Sequence, residues 1–160
     1  MTGKASSDQS TIDKHHVPDA TGEVRAVLAA ISRAWQERRY EELTEFFAPN
    51  MVLVLPGFAG RLEGRESIMA SYQEFMDRIT LTEYREAEAA VDVLGDTAMA
   101  SFRWEMTWLA GVVPNRAAGH DAFLLQRVPA DDAGRTPRWI ALWRTMAFES
   151  DSASSSQPAT

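Results

Sequence analysis

Apolar residues fall into two rhythms along this chain, and the change between them divides it. From Val24 to Trp35 the apolar positions Val24, Val27, Leu28, Ile31 and Trp35 recur at steps of three and four, the spacing of one helix face. A long first helix is predicted there, capped by Asp19 or Thr21, with Arg38 and Arg39 at its carboxyl end, where cations oppose the helix dipole. Tyr40, Leu43, Phe46 and Phe47 mark a short second helix stopped before Pro49. Met51 to Leu55, MVLVL, is a continuous apolar run closed by Pro56 and Gly57 and fits a short buried strand. The loop FAGRLEG then leads to a third helix, in which Ile68, Met69, Tyr72, Phe75, Met76 and Ile79 share one face.

Beyond Leu81 the period becomes two. Residues 82–93 alternate moderately, and Gly95-Asp96 before Thr97 is a two-residue hairpin signal. From Thr97 to Leu109 the alternation is clear: Ala98, Ala100, Phe102, Trp104, Met106 and Trp108 on one side, Ser101, Arg103, Glu105 and Thr107 on the other. Residues 111–115 turn the chain, a strand containing GHDAFLLQR follows, VPADDAGRTP forms a polar loop, and RWIALWRTMAF closes the sheet. Helices first and antiparallel strands later define an α+β class. One domain over residues 20–149 is expected, between flexible polar tails at 1–19 and 150–160.

Composition narrows the chemistry. A net charge of -7 offers no basic stripe to a phosphate backbone, so a nucleic-acid partner is not expected. The only lysines, Lys4 and Lys14, lie in the N-terminal tail, which removes a Schiff-base nucleophile from the folded part. There is no cysteine, hence no disulfide, thiol catalysis or thiolate metal site. No apolar run approaches the roughly 18 residues of a membrane span, and the N-terminus lacks the apolar core of a signal peptide; a cytoplasmic protein without a membrane partner is the expectation. His15 and His16, in the polar tail, are read as solvated spacer.

The candidate chemistry collects on the last hairpin. Asp121, flanked by Ala122, Phe123, Leu124 and Leu125, is costly in a core strand unless it is paired or used. Pairing the hairpin symmetrically from Arg127 with Arg138 sets Asp121 opposite Arg144, Phe123 opposite Leu142 and Leu125 opposite Ile140. His120 then faces Thr145 on the other side, with Ala122 opposite Trp143, Leu124 opposite Ala141 and Gln126 opposite Trp139. Two readings of Asp121 stay open: a functional acid, or a structural partner of Arg144. His120 is either a general base near neutrality or a hydrogen-bonded residue of a packed or subunit-facing surface. Tyr72 carries a hydroxyl that needs a partner if buried and is a possible acid, and Arg144 can hold a carboxylate or enolate. The apolar stripes, Trp35, Phe58, Phe75, Met76, Phe102, Trp104, Met106, Trp108, Phe123 and Met146, are either core or the lining for a flat hydrophobic ligand. No nucleophile elbow, phosphate loop or metal-ligand spacing is present, so no metal or other cofactor is expected.

The order of elements, with YEELTEFFAPNMVLVLPG and the GRESI start of the third helix, resembles the nuclear transport factor 2-like superfamily, which includes ketosteroid isomerases and SnoaL-type polyketide cyclases. The resemblance covers about residues 22–149. It implies a cone-shaped α+β barrel: three N-terminal helices packed against a strongly curved, mainly antiparallel sheet, around an apolar pocket, often dimerised through the sheet's outer face. Carried over residue by residue, the ketosteroid isomerase base position is Leu55, before Pro56; the helix-one tyrosine falls on Ile31; and the Asp-x-Phe acid falls on Asp121-Ala122-Phe123. SnoaL-type cyclases use an aspartate and a histidine on late strands, which His120 and Asp121 would supply. The resemblance thus implies a cofactor-free isomerase, dehydratase or cyclase acting on a hydrophobic polyketide- or terpenoid-like molecule, with Asp121, His120, Tyr72 and Arg144 as its polar groups. The alternative is a non-catalytic ligand-binding or dimerisation module, to which the leucine at position 55 points.

Overall fold

The computed structural model describes residues 19–149, as one α+β unit. The expected tails at 1–18 and 150–160, with Lys4, Lys14, His15 and His16, lie outside the described residues. Helices α1 (Ala20–Gln36), α2 (Tyr40–Glu45) and α3 (Arg65–Arg78) pack against a seven-stranded sheet. Its strands are β1 (Phe47–Val54), β2 (Arg61–Glu63), β3 (Thr80–Glu86), β4 (Ala90–Leu94), β5 (Thr97–Ala110), β6 (Val113–Val128) and β7 (Arg138–Phe148). Their order is β2-β1-β7-β6-β5-β3, with β4 also on β5; only β1 and β7 run parallel. The sheet curls around the helices without closing.

The helical periods hold. Val24, Leu28, Ile31 and Ala34 form the buried stripe of α1, and Ile68, Tyr72 and Met76 that of α3. The basic pair after α1 serves a different end from the one expected. Arg38 takes a left-handed backbone (φ 58) and swings its guanidinium to the carbonyls of Met76 (2.6 Å) and Ile79 (3.3 Å). These are among the carbonyls that the last turn of α3 leaves without internal partners, so Arg38 caps that helix. The second helix is shorter than its apolar spacing suggests. It ends at Glu45, and Phe47 already belongs to β1, because Phe47 pairs with Ala141 and Pro49 can stand where the pairing of β1 is irregular. The GRLEG stretch, read as loop, contributes the short strand β2 on β1.

The alternation in β5 is as the sequence predicts: Ala98, Ala100, Phe102, Trp104 and Met106 are buried. Gly95-Asp96 is the two-residue hairpin turn, with Gly95 at φ 61. The 82–93 stretch is two strands, β3 and β4, both laid along β5.

The symmetric register expected for the last hairpin is not the one formed. Asp121 faces Met146, Phe123 faces Arg144 and Ala122 faces Thr145, and a β-bulge at Leu142 separates Leu124–Trp143 from Leu125–Ala141. An extra residue in one strand reverses the facing of all that follow it. Trp139 and Ala141, expected beside His120, therefore face the core before the bulge, and Arg144 and Met146 face it afterwards. A second bulge acts likewise in β3. Thr82 and Glu83 lie together against Thr107, and Tyr84 and Glu86 are thereby turned to the concave side, opposite Met106 and Trp104. No helix among the described residues is long and apolar enough to cross a membrane.

Candidate active site: a buried ion pair behind an apolar cavity

The concave side of the sheet and helices α1 and α3 enclose a cavity of about 300 Å³. Trp35 of α1, Ser71, Tyr72 and Phe75 of α3, Leu53, Leu55 and Pro56 at the end of β1, Tyr84 of β3, Trp104, Met106 and Trp108 of β5, and Arg144, Met146 and Phe148 of β7 line it. The walls are thus overwhelmingly apolar, with charge at one point. Trp35 stacks on Phe75 (6.5 Å between centroids) and meets Tyr84 edge-on (5.3 Å).

Behind Arg144 stands Asp121, 1% exposed. Its Oδ2 accepts from Arg144 Nε (3.1 Å) and Nη2 (2.5 Å), while Oδ1 has no hydrogen-bond partner among the described residues. The two are not directly opposite in the ladder but diagonal on the same face, a separation that a long arginine spans. Arg144 also donates from Nη1 to the Tyr72 hydroxyl, and its guanidinium lies 5.4 Å from the Tyr72 ring centre and 5.1 Å from that of Phe123. Burial acts to lower the Arg144 pKa, but the Asp121 carboxylate and the neighbouring phenols outweigh it, so the guanidinium is held in its charged form. Burial pushes the Tyr72 pKa up, and Arg144 opposes that rise only in part. Tyr72 is therefore a neutral phenol whose oxygen is already occupied by a cation's N–H, which leaves its own proton to donate.

A smaller hollow of about 20 Å³ adjoins the first; Tyr72, Tyr84, Trp35 and Arg144 border both. Asp121, Phe102, Phe123, Ser32 and Glu86 border only the smaller one. Across its outer side Glu86 Oε1 accepts from Ser32 Oγ (2.7 Å) and from the Tyr84 hydroxyl (2.8 Å). Burial first, and then the Glu86 carboxylate beside it, push the Tyr84 pKa far above the usual tyrosine value.

The residues nominated from the sequence are thus divided. Tyr72, Arg144, Trp35, Phe75, Trp104, Met106, Trp108 and Met146 meet at the cavity, with Asp121 directly behind. Phe102 and Phe123 border the adjoining hollow, and Met76 is sealed in the core beneath α3. Phe58 is 81% exposed in the turn after β1 and is no part of the lining, because the turn carries it outward with a positive φ. His120 lies on the convex face, its side chain 57% exposed, with Nδ1 3.7 Å from Glu149 Oε1. Strand alternation with Asp121 inward makes that placement unavoidable, so His120 cannot reach the cavity.

Sequence reasoning missed Ser71, Tyr84, Glu86 and Ser32. One signal was present: Leu81 and Tyr84 are both apolar-faced and three apart, a step that a regular strand does not make. Among the described residues no three His, Asp or Glu side chains converge as metal ligands.

Comparison with solved structures places this architecture. A ketosteroid isomerase-like protein from Erwinia carotovora atroseptica is similar with a TM-score of 0.66 at 19% identity, covering 83% of this chain and 98% of that one. A nuclear transport factor 2-like superfamily protein from Salmonella enterica serovar Typhimurium gives 0.67 at 16%, covering 86% and 96%. A protein from Catenulispora acidiphila, solved in complex with S-DNPA, gives 0.62 at 21%, covering 79% and 91%. At these identities the likeness establishes the fold alone. A search of curated proteins found no match. The model of the SnoaL-like domain matches residues 19–126, about two thirds of the chain, and the chain is therefore a member of the SnoaL-like domain family, with the fold of the nuclear transport factor 2-like structures.

Proposed function

We propose that this protein is a cofactor-independent enzyme that isomerises, dehydrates or cyclises a hydrophobic, carbonyl-bearing molecule of polyketide- or terpenoid-like character by acid/base chemistry. The observation that carries this reading is Arg144, held by Asp121 on one side and donating to Tyr72 on the other, at the single charged point of an apolar cavity. Asp121 fixes the guanidinium through Nε and Nη2, so Nη1 is aimed at Tyr72 before any substrate arrives. A substrate carbonyl oxygen in reach of the Tyr72 proton meets a donor that strengthens as negative charge develops on that oxygen. The dry wall magnifies the effect. Asp121 then works through Arg144 rather than on the substrate, and His120 has no part.

One observation favours a second reading, a ligand-binding module without turnover. Leu55, an apolar side chain, lines the cavity beside Pro56, where the resembled isomerases carry their base. A panel of aromatic polyketide intermediates separates the two. Under the enzymatic reading, wild type turns over at least one member. Tyr72→Phe then lowers kcat by about 10²–10³, the cost of removing one oxyanion donor, with affinity retained. Asp121→Asn lowers it as well. Binding across the panel with no turnover by wild type overturns the enzymatic reading in favour of the module.

A further inference from the structure

Acid/base chemistry in this cavity needs a proton acceptor, and none of the sequence-nominated groups supplies one. Among the lining residues there is no carboxylate and no histidine; the titratable groups are Tyr72, Tyr84 and Arg144. Tyr72 already takes a proton donor from Arg144, and Arg144 is held charged by Asp121. Tyr84 is different. It lines the cavity, yet its hydroxyl donates to Glu86 Oε1 at 2.8 Å, and Glu86 is exposed. Ser32 of α1 donates to that same oxygen at 2.7 Å and fixes the carboxylate in place. Glu86 also borders a groove at the surface, together with Arg25, Leu28, Ala29 and Phe102.

We infer that Tyr84 and Glu86 form a proton relay that is the base of this cavity, with Tyr84 as the group touching the substrate and Glu86 acting through it. The inference rests on the enzymatic reading above. In the step, a C–H bond next to the substrate carbonyl breaks and its proton passes to Tyr84 Oη, while the phenolic proton of Tyr84 passes to Glu86 Oε1. The C–H electron pair becomes that of the enolate, whose oxygen accepts from Tyr72. Glu86 ends protonated on the solvent side of the relay, free to exchange with water, and the reverse transfer can return a proton to another carbon. A phenol with a pKa as high as that of Tyr84 does not ionise by itself, which suits a relay passing a proton on rather than a phenolate storing charge. The β3 bulge at Thr82 makes this arrangement possible, since without it Tyr84 and Glu86 would face outward.

The test is hydrogen–deuterium exchange of the acidic C–H bonds of 2-tetralone, a flat apolar ketone, in deuterated buffer. Wild type accelerates exchange. Tyr84→Phe and Glu86→Gln each lower the accelerated rate by about 10²-fold or more, the usual contribution of a general base, while quenching of tryptophan fluorescence by the ketone is kept. Glu86→Gln retains an acceptor for Ser32 and Tyr84, so a merely structural role would leave the rate unchanged. Glu83→Gln, altering a carboxylate of the same strand on the convex side, leaves exchange unchanged. Exchange that is fast in wild type and equally fast in Glu86→Gln overturns the relay and leaves the Tyr72–Arg144 reading standing. No acceleration by wild type counts against the acid/base reading itself, and the relay goes with it.

Discussion

Arg144 is the only hydrogen-bond donor to Asp121 among the described residues, and Asp121 is almost wholly removed from water. Replacing Arg144 by Met strands the carboxylate in an apolar wall. Loss of about 3–5 kcal/mol of stability is expected, the usual cost of breaking a buried pair from one side. The double variant Asp121→Leu/Arg144→Met removes both charges and recovers most of that loss. Urea denaturation of the three proteins checks both statements; equal midpoints for wild type and Arg144→Met would show that the pair is not closed in solution. The tyrosines make a second prediction at this scale. All three, Tyr40, Tyr72 and Tyr84, have pKa values raised above the ordinary 10.0, burial being the first cause in each. Above pH 10 the unfolded chain would release phenolic protons that the folded chain keeps. The folded state then binds more protons, and stability falls as pH rises. The contribution is fully present below pH 10. Absorbance at 295 nm should show no tyrosine ionising at the ordinary value, and denaturation at pH 9 and pH 11 should show the decline; a tyrosinate signal centred at pH 10 in folded protein contradicts it.

Among the elements, the two bulges decide what the cavity contains. Helix faces were legible because three- and four-residue steps survive small irregularities, and β5 was legible because it carries no bulge of its own. In β7 the expected and the formed registers differ, yet Asp121 and Arg144 still meet, since the bulge at Leu142 and the diagonal reach of arginine compensate for the slip. The sequence reading therefore placed the pair correctly on one face while assigning Trp139 and Ala141 to the wrong one. Gly119 of β6, set between β5 and β7, carries a packing constraint that no alternation pattern reveals. A Cβ at Gly119 would lie 2.4 Å from the carbonyl oxygen of Ala147 and 2.6 Å from the Trp104 ring. Backbone cannot yield as a flexible side chain does, so Gly119→Ala is expected to cost about 1–3 kcal/mol, as overpacking does. It should also displace Trp104 from the cavity wall. Thermal denaturation and the tryptophan emission spectrum report the two effects, and a variant that melts with wild type would show that these strands can yield at no cost.

Across the whole molecule, the convex face carries Met99, Leu124, Trp143 and Val52 as one apolar row over β5, β6, β7 and β1, each next to its ladder neighbour. Met99 is 47% exposed. Such a row on the outside of a curved sheet is the surface on which we propose that two copies associate. Sedimentation equilibrium should give a dimer for wild type and a monomer for Leu124→Glu; a monomeric wild type defeats the proposal. Arg103 clamps Glu149 through two hydrogen bonds of 2.6 and 2.9 Å, with His120 at its edge, so the one histidine among the described residues belongs to this outer surface and not to the cavity.

By itself the sequence determined the class of the fold, the stripes of α1 and α3, the alternation of β5, and a carboxylate and an arginine that had to share a side of the last hairpin. It did so because burial follows a fixed period within each unbroken element. Tertiary structure alone decided the phase of that period after each irregularity. A bulge costs one unpaired residue and leaves no strong local signature, but it reverses which residues of Thr80–Glu86 and Arg138–Phe148 look inward. Tyr84, Glu86 and Arg144 reach the cavity side only because two strands each carry one residue more than their partner can match.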